Sequence, residues 1–331
     1  MYGQTRISQQ KSTVGEKKEH EKLKNTISTR TKQMSYCDVF NAQTEQAVTC
    51  GKEFDYLWND YLTKFNISDE QVAKMTDSDD HRILNKDPKF FTAFSDNHYD
   101  AAILSLQTFH KYHPNGKMVI YDLGLSEGHL KQLKELSYVS SVKSFNFSAY
   151  PKYVQDLYGY RWKVLMLSEI LREHEAISYA DAHVLWQNFS WTELMDKIRC
   201  QIAGCNYYSY LLLGYTSHSI FSTTDKRMYD YFPINASMTA KTEMGVASFQ
   251  LIYFTKDVRE NVFKWLVVCA LQKDCMAPDG ITIWCNFKNN DRWNKFADCH
   301  RYDQSAVNIL LANRHEYDHK KYVIPIPISR S

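Results

Sequence analysis

Between Lys89 and Asp181 the chain alternates short apolar runs with longer segments of helical spacing, and no other feature narrows the possible folds as much. "KFFTAF" (89–94) reads as a strand, "HYDAAILSLQTFHKYH" as an amphipathic helix and "KMVIYDLG" (117–124) as a second strand. "SEGHLKQLKEL" reads as a helix capped by Ser126, and "VKSFNF" as a third strand. "YRWKVLMLSEILREH", apolar on most of its faces, is a helix that leads into the strand "AISYAD". A strand that follows its predecessor through a helix returns parallel to it. The expected architecture is therefore α/β, a single Rossmann-like sheet, mixed and mostly parallel and flanked by helices, with ligands gathering at the carboxyl ends of its strands.

Outside this alternating region the texture differs. Residues 1–34 are polar and charged and are expected to be disordered. Residues 35–84 hold scattered apolar positions at helical spacing, Phe54, Leu57, Trp58, Tyr61 and Leu62 among them, and are expected to form a helical lead-in and linker to a domain over 85–331. In a chain of 331 residues, 44% hydrophobic, there is ample material for one large core. A net charge of +2 with no recurring Lys/Arg stripe argues against a nucleic-acid partner or a charged membrane surface.

The cysteines bear on compartment. There are eight, none in a C-x-x-C pair, which points away from zinc and toward disulfides or buried thiols. Cys269 with Cys275 and Cys285 with Cys299 are the expected pairs, being nearest in sequence within the C-terminal half. Four N-x-S sequons, at Asn66, Asn146, Asn188 and Asn235, add to a secretory reading, Golgi lumen or secreted, with the cytoplasm as alternative. The first residues show no signal-peptide core, and apolar runs such as "WLVVCAL" fall short of the ~18 residues of a spanning helix.

In "ISYADAHVLW" (177–186) a buried strand ends on a charge. Side chains two apart on an extended segment share a face, so Asp181 and His183 are expected to look into the crevice together. Such a pair can hold one divalent ion, Mn²⁺ or Mg²⁺, whose other positions a diphosphate fills. A strand-end aspartate that caps a turn is the plain alternative.

The run from about Lys89 to about Val323 resembles an uncharacterised family of nucleotide-diphospho-sugar-transferase-like proteins, itself similar to A-type, glycogenin-like glycosyltransferases. That resemblance implies an A-type glycosyltransferase fold whose aspartate-any-aspartate signature binds the metal; the signature here reads Asp181-Ala182-His183. Matched against "TAFSDNHYDAAILSLQTF", the resemblance assigns Ser95 and Asp96 to uridine contacts and Tyr99 to stacking on the base. In "YRWKVL" it assigns Lys163, with Arg161 in reserve, to the donor phosphates, and in "HRYDQSAVNILLAN" it assigns Asp303 and Gln304 to sugar hydroxyls or the reaction. Asp303 also suits a helix cap. Gly245, Ala247 and Ser248 are expected to let a sugar approach the backbone, with Glu243 as a polar contact. The family's third metal ligand is a histidine beyond the Asp-Gln helix, and the late histidines here are His315 and His319. The implied activity is transfer of a sugar from a nucleotide sugar, a UDP-sugar, to an unknown glycan, protein or lipid acceptor. The alternatives are an inactive nucleotide-sugar or glycan-binding protein that keeps the fold, and a cytosolic structural protein with reduced thiols.

Overall fold

The computed structural model describes residues 61–63, 80–199 and 209–330. The expected polar segment 1–34 and most of the lead-in 35–84 lie outside the described residues, as do Asn66, Cys200 and Cys205.

A six-stranded sheet has the order β3-β2-β1-β4-β9-β6, formed by β1 (Lys89–Phe94), β2 (Met118–Asp122), β3 (Val139–Ser144), β4 (Ala176–Ala180), β6 (Tyr210–Leu212) and β9 (Phe249–Tyr253). Strands β3, β2, β1 and β4 are mutually parallel, and β9 runs antiparallel to both β4 and β6. The sheet is thus mixed and mostly parallel. The first crossovers run through α1 (Tyr99–Tyr112) and α2 (Glu127–Glu135) and move outward from β1. The chain then returns through α3 (Arg161–Glu173) to lay β4 on the other flank of β1. A parallel sheet whose strand order reverses between β1 and β4 leaves a crevice at their carboxyl ends.

Both faces of the sheet are covered, and the alternation along each strand shows how. Phe91, Ile177, Tyr179 and Ile252 enter one core with α3, α4 (Lys264–Leu271) and α5 (Tyr302–Arg314). Phe94, Ile120, Ala180 and Leu251 enter the other core with α1. Each fully buried Phe, Ile or Leu contributes about 1.5–3 kcal/mol, less the entropy of ordering it. The run "WLVVCAL" lies in α4 and its Trp265–Ala270 stretch is buried throughout, so its apolarity serves the core. Among the described residues no helix is long and apolar enough to cross a membrane.

The strand expected over "VKSFNF" begins earlier and stops at Ser144. Phe145 leaves the sheet, stacks on Tyr150 and meets Phe147 edge-on, so the aromatic alternation there serves a loop-side core. Both expected disulfides are present, Cys269–Cys275 and Cys285–Cys299. Asn146, Asn188 and Asn235 all lie exposed on the surface.

Candidate active site

Strand β4 is buried along its whole length and stops at Ala180. Asp181 does not extend it. The carbonyl of Asp181 accepts from the Val184 N–H at 3.0 Å, closing a turn that starts β5 (Val184–Trp186), while the Asp181 N–H donates to the Ser248 carbonyl at 2.8 Å. Asp181 and His183 nevertheless line one cavity of about 100 Å³, together with Tyr160, Lys163, Ser248, Arg301, Asp303 and Gln304. They meet through a turn and not through an extended run, which corrects the reason for their pairing.

The cavity is organised around an ammonium. Lys163, in the first turn of α3, sits 2.9 Å from Asp181 Oδ1 and 3.2 Å from Asp303 Oδ2, with its side chain 3% exposed. Tyr179, two residues before Asp181 on the same strand face, donates its hydroxyl to Asp181 Oδ1 at 2.9 Å. Tyr160, whose backbone is left-handed (φ 53°), lies just before α3 with its ring 5.1 Å from the Lys163 ammonium. Burial alone would lower the Lys163 pKa, but Asp181 and then Asp303 outweigh it and hold the ammonium above its ordinary range. Burial likewise dominates at Asp303, whose carboxyl is raised despite Lys163. Removing Lys163 from this buried triad leaves two carboxylates without compensation, at a cost of about 3–5 kcal/mol.

Lys163, expected at the donor phosphates, lies between the two carboxylates in the wall of the cavity. Arg161, the reserve, is buried as well and donates to the carbonyls of Lys273 and Ala277.

Helix α5 supplies the opposite wall. Its N-cap position is Arg301 and no side chain caps it there, so Asp303 serves the lysine and not the helix end. Gln304 Oε1 accepts from the Ala247 N–H at 3.1 Å, and Asn308 clasps Gly245 from both sides, accepting from its N–H at 2.7 Å and donating to its carbonyl at 2.9 Å. Gly245 is therefore not a place where a sugar meets backbone. A Cβ there would lie 2.7 Å from Leu212 Cδ1 and 2.9 Å from Val323 Cγ2, so the missing side chain makes room for the core. Ala247 and Ser248 do line the cavity, whereas Glu243 turns away and accepts from the Ser217 N–H at 2.9 Å.

At the end of β1, Ser95 donates to Asn97 Oδ1 at 2.6 Å. The exposed Asp96 accepts from the Ser126 N–H at 2.8 Å and meets His129 Nδ1 at 2.7 Å, and these bonds hold its carboxyl below the usual range. Both follow the carboxyl end of β1, with Asp96 bonded to the segment after β2, and neither lines the Asp181 cavity. Tyr99, expected to stack on the base, is 8% exposed, stacks one ring face on His129 at 3.6 Å between centroids and donates its hydroxyl to Gln132 Oε1.

The donor set for a metal is partial. Asp181 and His183 reach one cavity, and a carboxylate with an imidazole suits Mn²⁺. Among the described residues no three His, Cys, Asp or Glu side chains gather around a common point, and His315 stacks on Tyr322 while His319 binds the Tyr215 hydroxyl. These residues fit an ion that shares its coordination with a bound diphosphate, as Mg²⁺-type sites do, and not one held by protein alone.

Sequence reasoning missed Tyr179, Tyr160 and Arg301. Tyr179 had a signal, since a side chain two before Asp181 on a strand shares its face. Arg301 had none, because the helix-start pattern draws attention forward from Tyr302.

Residues 25–168 match a protein family described as a protein of unknown function (DUF1647). No curated protein matches the chain. Among solved structures, the galactosyltransferase LgtC in complex with donor and acceptor sugar analogs is similar at 17% identity and a TM-score of 0.35, over 54% of this chain and 63% of that one. The chain thus spans somewhat under two thirds of that relative's length. The mannosyltransferase Ktr4p from S. cerevisiae in complex with GDP is 10% identical over 83% of each chain, with a TM-score of 0.38. Core-mannan synthase A (CmsA/Ktr4) from Aspergillus fumigatus, in an Mn/GDP form, is 8% identical over 56% of this chain and 64% of that one, with a TM-score of 0.35.

Proposed function

We propose that the chain transfers a sugar from a nucleotide sugar, a UDP-sugar, to an acceptor hydroxyl at the Asp181–Asp303 cavity. The observation that carries this reading is the meeting of Lys163, Asp181 and Asp303, from three different elements, in a cavity that opens at the carboxyl end of β4. Charged groups are not collected there for stability, since a buried triad of this kind seldom outperforms apolar packing.

In the reaction the anomeric carbon loses its bond to the diphosphate oxygen and gains one to the acceptor oxygen, whose proton must be given up. Ser95 and Asp96, just beyond the carboxyl end of β1, are the candidates for contact with the nucleoside. Asp181 and His183 would hold Mn²⁺ or Mg²⁺, which supplies a Lewis acid for the departing diphosphate. Asp303, with its raised carboxyl pKa, lines the cavity and is the candidate for contact with sugar hydroxyls, and Gln304 fixes the Ala247 N–H beside it. Paired cysteines and exposed sequon asparagines support a secretory setting.

A second reading, an inactive protein that binds nucleotide sugar or glycan, is favoured by two observations: Lys163 is engaged by both carboxylates, and one face of the Tyr99 ring is covered. Calorimetric titration with UDP and with GDP, with and without Mn²⁺, followed by a donor-hydrolysis assay separates the two. UDP binding that requires Mn²⁺, with hydrolysis of a UDP-sugar, is the expected result. Binding without turnover selects the second reading, and no binding of either nucleotide removes the first and leaves only the glycan-binding form of the second.

A further inference from the structure

A second cavity of about 340 Å³ adjoins the first and shares Arg301 and Gln304 with it. Its volume is in the range of about 300–1,000 Å³ that holds small ligands. It lies on the far flank of the site. Tyr215 and His218 in its wall belong to β7 (Tyr215–Ser219), which follows the edge strand β6, whereas Asp96 and the β1–β4 crevice lie on the other side of Asp181. If a nucleotide occupies the crevice, a molecule in this cavity approaches the same carboxylates from the opposite side.

The lining is one-sided in charge. It includes Arg292 and Arg301 and no carboxylate. His218, the remaining titratable nitrogen base there, is kept neutral by burial and, secondarily, by these two guanidiniums, which push it down to about 4. Arg292 is also held in place. Its Nε donates to the Ser217 carbonyl at 2.8 Å, and its guanidinium lies 4.3 Å from the centroid of the Phe287 ring. Its two terminal nitrogens have no partner among the described residues. Ser217 has a left-handed backbone (φ 61°), and its N–H is fixed by Glu243. A guanidinium with its stem bonded, its face stacked and its outer edge open is preorganised for an oxyanion.

We propose that this cavity is the subsite for the anionic group of an acidic saccharide acceptor, a sugar carrying a carboxylate or a sulfate ester, with Arg292 as the residue that selects it. The inference rests on the glycosyltransferase reading for the saccharide and its role as acceptor; the preference for an anionic group does not depend on it.

The test is binding of methyl β-glucuronide, glucose 6-sulfate and the neutral methyl β-glucoside to the full chain, followed by ligand-observed NMR, with and without UDP. One acidic sugar should bind roughly tenfold more tightly than the neutral one. Arg292→Gln should erase that preference and Arg292→Lys should retain part of it, with melting temperatures unchanged. Preference for the glucuronide identifies a carboxylate as the cognate group, and preference for the sulfate identifies a sulfate ester. Equal binding of acidic and neutral sugars, a preference that survives Arg292→Gln, or no binding of any of the three overturns the proposal. UDP binding with no acidic preference sinks this inference and leaves the function standing. Acidic-sugar binding in a protein that ignores UDP and GDP does the reverse.

Discussion

Replacing Lys163 by Met tests the centre of the site. Met keeps most of the stem and removes the ammonium that lies 2.9 Å from Asp181 and 3.2 Å from Asp303, in a side chain only 3% exposed. Two carboxylates then face each other with their cation gone. The loss should be about 3–5 kcal/mol, the cost of orphaning a buried charge. At about 2–4 °C per kcal/mol for a body of this size, melting at pH 7.5 should fall by roughly 6–20 °C. Asp181→Asn is the control, because Lys163 keeps Asp303 as partner and the net charge of the triad is then balanced. That variant should lose about 1 kcal/mol or less. The sign with pH is also fixed. Without the ammonium, burial and mutual repulsion raise the folded-state carboxyl pKa, so the penalty is present above that pKa and shrinks as pH falls toward 5. Thermal melts by circular dichroism at pH 7.5 and 5.5 measure both effects. A Lys163→Met protein that melts within about 2 °C of the parent, or loses more at pH 5.5 than at 7.5, would show that the triad is not the buried unit described here.

Three further outcomes are expected. His300 is fully buried and burial pushes it down to about 4, so below its ordinary pKa the unfolded chain takes up a proton that the folded one refuses; by pH 5 this costs about 2 kcal/mol, readable as reduced urea midpoints between pH 7 and 5. His300→Gln should flatten that part of the profile, and an unchanged slope counts against the assignment. Gly245→Ala should cost about 1–3 kcal/mol by urea denaturation, since its Cβ would meet Leu212 at 2.7 Å and Val323 at 2.9 Å; a neutral result would mean that the β8 (Glu243–Gly245) backbone can yield. Mn²⁺ should bind only weakly to the protein alone and more than tenfold better when UDP is present, because Asp181 and His183 supply only part of a coordination sphere; calorimetry with Mn²⁺ first and UDP second checks the order.

The sheet was readable because its signal is local. Each strand in the first half is a short apolar run bounded by a helix of clear period, and β1 and α1 fall within a residue of their expected limits. β9 was harder, since a buried antiparallel strand and a small-residue loop look alike in "EMGVASFQLIYFT". Around the site, Asp181, His183, Asp303 and Gln304, singled out from the sequence, line one cavity. Partner choice was not legible. A lysine at a helix start signals a cation, but nothing local tells whether a phosphate or two carboxylates receive it. The same holds for Tyr99, whose stacking partner His129 is thirty residues away in α2. The second cavity draws on residues near 215, 292 and 301, three segments with no shared local pattern, and no window of sequence could have assembled it.

The Cys285–Cys299 bridge has a practical consequence for anyone who makes this protein. It closes a fourteen-residue span that holds Phe287 and Arg292, and Arg301 follows just beyond it. The span contains little regular structure beyond one short turn of helix at Lys288–Asn290, and the bridge adds to the hydrogen bonds by which Ser217 and Ser219 hold Arg292 and Trp293. A reducing bacterial host would deliver material whose sheet is intact and whose circular dichroism looks healthy, while the wall bearing Arg292 has lost one of its restraints. Negative binding data from such a preparation would describe the expression host and not the protein.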